Sequence, residues 1–257
     1  SDDGGGAWTD IGKCVIAVSE HNADVIVGME RMVTDVTKGT LGLHLSLDGG
    51  DTWAPLPDPP AETVPGRPDT AWEVTGTGRT WNHAAAHLLA IDPRPEYEPT
   101  GGANHRLRVL LAGRSGIYEY NAANADISGS ENDWRLRATG LKPNPHHGVH
   151  EPVPWMGFVV FDPRPGYRHV VYAVKTMDAR TLCNWADENN PNKAYPGGSN
   201  TEPFYRSTDG GVTWKLLHSP QYPDAPQAPM IHDIVVDTRG RLLAATCEGI
   251  YVFTPEP

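Results

Sequence analysis

Three features of the sequence predict an all-β fold. An eight-residue pattern occurs twice, a four-strand unit recurs about every 70 residues, and 27 glycines and 24 prolines punctuate the 257 residues. Together they predict a single β-propeller, four blades of four antiparallel strands, with five blades as the alternative. The repeated pattern is S-x-D-G-G-x-T-W, at residues 46–53 and 207–214. It has the chemistry of a hairpin turn. Asp48 and Asp209 are placed to accept backbone N–H groups, and the glycines supply positive φ. Trp53 and Trp214 then open the following strand as large apolar plates.

The other elements fall in order around these turns. Apolar runs at 15–19, 88–92, 158–162 and 234–237 each end in a polar turn residue, and the second and third share Asp-Pro-Arg-Pro at 92–95 and 162–165. A second β-rich run follows each, at 24–28, 107–113, 169–174 and 241–246, and then a third, at 42–46, 116–120, 204–207 and 249–253. Trp53, Trp134 and Trp214 lead a fourth strand in the first three units. The blade units are therefore about 13–56, 87–141, 156–218 and 230–257 within one domain, 1–257. The last unit lacks a fourth strand. The spare Trp-led segment is 7–11, around Trp8, so the N-terminal strand is expected to close the last blade and remove an open edge. The five-blade alternative hides an irregular blade in 63–80. Units one and three carry the repeated turn, whereas two and four share a Gly-Ile-Tyr hairpin at Gly116 and Gly249, which indicates a duplicated two-blade ancestor.

Charge narrows the partners. Lys+Arg number 21 against 32 Asp+Glu, a net charge of −11 with no basic cluster. That excludes a duplex nucleic-acid binder or polybasic membrane binder, since both must neutralise phosphate. No apolar run is long enough for a spanning helix. Cys14, Cys183 and Cys247 allow at most one internal disulfide and form no C-x-x-C motif. The opening Ser-Asp-Asp-Gly-Gly-Gly fits a mature secreted protein with its leader removed, or a trimmed chain, so the expected location is extracellular or periplasmic.

Propeller geometry converts position into location. First-to-second and third-to-fourth connections share one face, which holds the repeated turns. The opposite face receives the long connections 29–41, 57–82, 142–155, 175–203 and 219–229. Long loops on a rigid scaffold are where sites collect. Asp35 and Asp178 follow the second strands of the two units with the repeated turn, on opposite sides of the pore. Two carboxylates across a cleft are what glycoside hydrolysis requires. Trp72, Trp81, Trp155, Trp185 and Tyr195 lie in the same loops as stacking platforms for sugar rings. Aligning the inner strands on their final polar residue puts Cys14, His87, Gly157 and His232 at equivalent positions. His87 and His232, with His150 beside Glu151, form a candidate divalent-metal site.

The S-x-D-G-G-x-T-W turns resemble the Asp-box, or BNR repeat, of sialidases, sortilin-type receptors and xyloglucan-cleaving propeller hydrolases. In that family the box is a structural turn away from the active face. The stretch from Thr34 through Asp35 and Val36 is similar to the T-D-V-G-G segment that carries a catalytic Asp in tandem-propeller xyloglucanases, although Thr37 and Lys38 stand in place of the double glycine. The resemblance implies a secreted carbohydrate-active propeller, a polysaccharide hydrolase or lyase with Asp35 and Asp178 in acid/base roles. The alternative is a non-catalytic glycan- or protein-binding propeller, or an extracellular structural subunit.

Overall fold

The structure is a computed structural model that describes residues 15–29, 42–57, 89–97, 106–113, 116–122, 134–142, 156–175, 204–217, 231–246 and 249–255. These residues form four antiparallel sheets, each a simple meander. Unit 1 contains β1 (Val15–Val18), β2 (Ile26–Met29), β3 (Leu43–Ser46) and β4 (Ala54–Pro55). Unit 2 contains β5 (Leu89–Ile91), β6 (Arg108–Gly113), β7 (Gly116–Asn121) and β8 (Trp134–Arg137). Unit 3 contains β9 (Met156–Phe161), β10 (Val171–Lys175), β11 (Phe204–Ser207) and β12 (Lys215–Leu216). In unit 4, β13 (Ile231–Val236), β14 (Leu242–Thr246) and β15 (Gly249–Phe253) make a three-stranded sheet. The inner strands β1, β5, β9 and β13 pack one against the next in that order.

Apolar residues hold the sheets face to face. Val27, Met29, Leu43, Leu110, Leu111, Tyr120, Val159 and Tyr205 belong to one buried cluster that joins units 1, 2 and 3. Phe158, Tyr172, Val174, Phe204, Ile234 and Leu242 form a second between units 3 and 4. Second strands are sandwiched on both sides, so β2 and β6 are buried along their whole length. Near-continuous Val, Ile and Leu suits strands that never meet water on either face.

One turn recurs in all four units and shows that they are copies of one design. Ser19, Asp92, Asp162 and Asp237 end the inner strands. Their N–H groups donate across the turn to the carbonyls of Val25, Arg108, Val170 and Arg241, each at 2.9 Å. Their side-chain oxygens accept the N–H two residues on, from His21 (3.3 Å), Arg94 (3.1 Å), Arg164 (3.1 Å) and Arg239 (2.9 Å). A short polar side chain bonding its own backbone two residues ahead replaces the ladder where the strand must reverse.

Boundaries differ from the sequence expectation where turns compete with strands. β2 starts at Ile26 rather than residue 24, because Val25 N–H bonds the Asn22 carbonyl (3.0 Å) and the Asp24 carbonyl accepts Gly49 N–H (3.0 Å). β10 starts at Val171 because 164–170 is turn, closed by Tyr167 N–H to Arg164 (3.0 Å) and Val170 N–H to Tyr167 (2.7 Å). Trp214 precedes β12, its N–H spent on the Thr139 carbonyl of the neighbouring sheet at 2.9 Å. Segment 7–11, residues 63–80 of the five-blade alternative and all three cysteines lie outside the described residues.

Candidate functional site

The two ends of the sheets do different work. At one end sit the S-x-D-G-G-x-T-W turns, which share their Ser, Asp and Thr bonds and differ at the Trp: Trp53 Nε1–H donates to Gly50 O of its own turn (2.9 Å) and Trp214 Nε1–H to Arg137 O of the neighbouring sheet (3.1 Å). Ser46 Oγ donates to Asp48 Oδ1 (2.8 Å) and accepts Gly50 N–H (2.8 Å), while Asp48 accepts Thr52 N–H (2.8 Å) and Thr52 Oγ1–H (2.5 Å). Ser207, Asp209, Gly211 and Thr213 repeat this at 2.6, 2.7, 2.9 and 2.6 Å. Gly49 and Gly50, like Gly210 and Gly211, have φ between 73° and 100°, which only glycine adopts without strain. Each turn is tied to the first turn of its own sheet, by Gly49 N–H to Asp24 O and Gly210 N–H to His169 O. The hydrogen bonds from Thr52 and Ser46 hold the Asp48 carboxyl down at about 2. Burial opposes the same effect at Asp209, where bonds from Ser207, Thr213 and Val212 outweigh it and lower its pKa.

Beside the second turn lies a buried ionic cluster. Arg108, 2% exposed, donates Nε–H to Glu119 Oε1 (2.8 Å), Nη1–H to Asp92 Oδ2 (2.5 Å) and Nη2–H to the Gly210 carbonyl of unit 3 (2.5 Å). Arg137 bonds the other oxygen of Glu119, and Arg94 grips Asp92 through Nε (2.9 Å) and Nη2 (2.7 Å). The Arg94 and Arg108 guanidiniums lie 4.6 and 5.6 Å from the centre of the Tyr97 ring. Burial pushes Glu119 up, but Arg108 and Arg137 overcome it and the carboxyl stays below its ordinary range. Unit 3 repeats the Asp–Arg pair: Arg164 grips Asp162, stacks on Tyr167 at 4.1 Å, and donates Nη1–H to Arg239 O of unit 4 (3.2 Å). Among the described residues, Glu20 is the one carboxyl with a raised pKa, pushed up by its burial against the pull of Arg168 and His21. A general acid needs a pKa near its working pH. Asp48, Asp209, Asp237 and Glu119 are instead fixed as anions and consumed by structural bonds.

The opposite end receives the long segments. β2 and β10, in equivalent positions, lead into residues 30–42 and 176–203, whereas the same connections in units 2 and 4 are the pairs 114–115 and 247–248. Asp35, Asp178, Trp72, Trp81, Trp155, Trp185, Tyr195, His87 and His150 all lie outside the described residues. His232 lies on β13, where the pairing passes from Ile231 to Asp233 and leaves residue 232 as the extra residue of a bulge. Gly157 is the extra residue at the matching place on β9, between Met156 and Phe158. Both are five residues before the Asp162 and Asp237 turns, so the sequence alignment that equated them is anchored by matching bonds. Bulges re-aim the chain and are frequent beside active sites. Among the described residues no group of three His, Cys, Asp or Glu is placed to hold a metal ion.

The sequence reading missed the Arg108–Glu119 cluster. A lone Arg and Glu inside apolar runs were its only trace, because the partners come from three strands and two turns of two sheets.

No protein-family model matches the chain, and comparison with curated proteins gives no match. Among solved structures, the chain resembles a GH74 xyloglucanase from Xanthomonas campestris at 16% identity and TM-score 0.50, over 96% of this chain and 28% of that one. A GH74 enzyme from Niastella koreensis is similar at 18% identity and TM-score 0.48, over 93% of this chain and 26% of that one. YCF48 from Cyanidioschyzon merolae is similar at 13% identity and TM-score 0.42, over 95% and 53%. The chain thus spans from about a quarter to about half of these proteins. The four antiparallel sheets and the Xanthomonas likeness are consistent with a β-propeller, in which each sheet takes the place of a blade. No helix among the described residues is long and apolar enough to cross a membrane.

Proposed function

We propose that this chain is a secreted, carbohydrate-active propeller of the Asp-box type, closed into one four-bladed ring by its N-terminal strand. It acts on polysaccharide in a funnel at the end opposite the repeated turns. The observation that carries this reading is the asymmetry of the two ends. At the turn end, the carboxylates of the repeated turns and the ionic cluster are locked as anions by structural bonds. At the other, blades 1 and 3 extend residues 30–42 and 176–203 from equivalent strands where blades 2 and 4 use two residues. Asp35 and Asp178 stand in those two segments as acid and base or nucleophile for hydrolysis, or as the proton-transfer pair of a lyase. Trp72, Trp81, Trp155, Trp185 and Tyr195 provide stacking surfaces, and the bulge at His232, with His87 and His150, a place for a divalent cation.

The test is incubation with soluble β-glucans, xyloglucan and uronic-acid polysaccharides, following new reducing ends and unsaturated products. Asp35→Asn and Asp178→Asn should each lower the rate by about 10²-fold or more, the scale of an acid/base contribution. Turnover unchanged in both variants removes these residues from the chemistry.

The described carboxylates favour a second reading, since Asp48, Asp209, Asp237 and Glu119 are all held as anions by structural bonds. On this reading the propeller binds glycan or protein, or serves as an extracellular structural subunit, without cleaving anything. Saturable binding of xyloglucan with no product, weakened by Trp155→Ala or Trp185→Ala, distinguishes it.

A further inference from the structure

Blades 1 and 4 each present a sheet face that lacks the cover its equivalents have. Val18, Ile91, Phe161 and Val236 all stand immediately before the residue whose N–H closes the inner turn. Phe161 and Val236 pack toward the preceding blade, since their clusters join blade 3 to earlier blades and blade 4 to blade 3. Ile91, Phe161 and Val236 are 7%, 4% and 8% exposed, but Val18 of blade 1 is 46% exposed. The other face of each sheet meets the following blade: Ala17 packs on the cluster shared with blade 2, and Val160 on the one shared with blade 4. Val235 is their equivalent in blade 4. It is exposed, as is Val252, which lies beside it on the same face through Leu243.

The polar contacts lapse at the same place. Trp134 and Trp214 donate to carbonyls of the preceding blade, Pro57 O and Arg137 O, whereas Trp53 of blade 1 donates to Gly50 O of its own turn. Arg108 and Arg241 are equivalent, because their carbonyls accept the turn-closing N–H of Asp92 and Asp237, both at 2.9 Å, and their guanidiniums bond those same aspartates. Arg108 also reaches Gly210 O in the repeated turn of the following blade, and its side chain is 2% exposed. Arg241 bonds Asp237 through Nε and Nη2, and its side chain is 38% exposed. Val252 stands where blade 2 has Glu119, so Arg241 has one carboxylate to satisfy rather than two.

We propose that these faces are the two halves of one seam, through which blade 4 closes on blade 1 of the same chain. Val235 and Val252 seat against Val18, and Arg241 donates to Gly49 O as Arg108 donates to Gly210 O. This deepens the single-ring reading and rests on it. The alternation of the blades selects the partner. Blades 1 and 3 carry the repeated turns, in which Gly49 and Gly210 hold the same position and tie their N–H groups to the first turn of their own sheet. Blades 2 and 4 carry Arg108 and Arg241. The contact made from blade 2 to blade 3 therefore recurs from blade 4 to blade 1. The two remaining seams already show such recurrence: His21 Nε2–H donates to Pro93 O (2.5 Å) and Arg164 Nη1–H to Arg239 O (3.2 Å), each from the inner turn of one blade to that of the next. Closing the seam takes Val18, Val235 and Val252 out of water together, which favours it without any further polar contact.

A mutant cycle on the full chain, read by urea unfolding, tests the seam. Val18→Asp and Val235→Lys place charges on faces that tolerate them if open and bury them if closed. Each should lower the urea midpoint by at least about 1 M, and the double variant, with opposite charges facing each other, should recover at least about half of the summed loss. Arg241→Met should cost less than about half as much in the Val18→Asp chain as it does alone, because the seam it serves is already lost. Sedimentation of the unmodified chain should give the mass of one molecule at every concentration. Unchanged midpoints in both single variants of a monomer, or losses that simply add, overturn this seam and leave closure at the outer edge of blade 4 untouched. A dimer that Val235→Lys dissociates assigns the two halves to different copies, and overturns both the proposal and the single-chain ring.

Discussion

Arg108 concentrates more consequence in one side chain than any other described residue. It satisfies two buried carboxylates, Asp92 and Glu119, and reaches a carbonyl of the next blade. Arg108→Met keeps the volume and leaves those anions one cation short, which should cost about 3–5 kcal/mol in urea unfolding. Acid should act on neighbouring carboxyls in a defined direction. Asp48, held at about 2, and Asp209, Asp237 and Glu119, also lowered, bind protons more weakly folded than unfolded. Their stabilisation is complete above about pH 5, the upper edge of the unfolded carboxylate range, and is lost as pH falls through the lowered folded values, which for Asp48 is about 2. Glu20, raised by burial, has the opposite sign: its contribution is present at low pH and lost as pH rises through its folded pKa. With four groups against one, the urea midpoint should fall steadily from pH 5 to pH 2.5.

Turns and outer strands decide how blades meet, and two glycines separate conformation from contact. Gly140 has φ 90°, and a Cβ there would lie 1.9 Å from the Trp214 carbonyl oxygen; Gly166 has φ 85° with nothing within 4 Å. Gly166→Ala should cost only the left-handed strain of about 1–2 kcal/mol. Gly140→Ala adds a backbone collision across the blade 2–3 seam, so its melting temperature should fall well below that of the Gly166 variant. Elements of this kind were largely legible in the sequence. Residues 204–207 and 249–253 become strands at the expected bounds, because Pro203 and the Asp209–Gly211 turn bracket the first and Gly249 and Pro255 the second. The indole bonds from Trp134 and Trp214 were not legible, since each joins residues 77 apart whose proximity depends on blade twist.

For the whole molecule, the repeat was readable and the chemistry less so. The four sheets, and the three strands of the last among the described residues, follow from pattern alone, because a repeated packing problem has a repeated solution. The candidate catalytic and aromatic residues fall in segments with no periodicity, where neither turn chemistry nor strand alternation constrains the path. Ring closure can be tested at this scale by truncation. Removing residues 1–11 should lower the melting temperature sharply and bring on aggregation through the Ile250–Val252 edge, whereas removing 1–5 should leave the transition within about a degree. Equal behaviour of the two truncations in thermal scans with light scattering would show that the N-terminus does not close the ring.

The inter-blade bonds also have a direction in time. Trp134 and Trp214 donate backward, to carbonyls already synthesised when their own blade leaves the ribosome. His21, Arg108 and Arg164 reach forward, to Pro93, Gly210 and Arg239, which emerge later. A nascent blade can therefore dock on its predecessor at once, through contacts between adjacent units and without waiting for the full chain. Its own forward donors stay in water until the next blade arrives. Vectorial synthesis thus adds blades in chain order, and residues 7–11, if they form the closing strand, must remain unpaired until the last blade is complete.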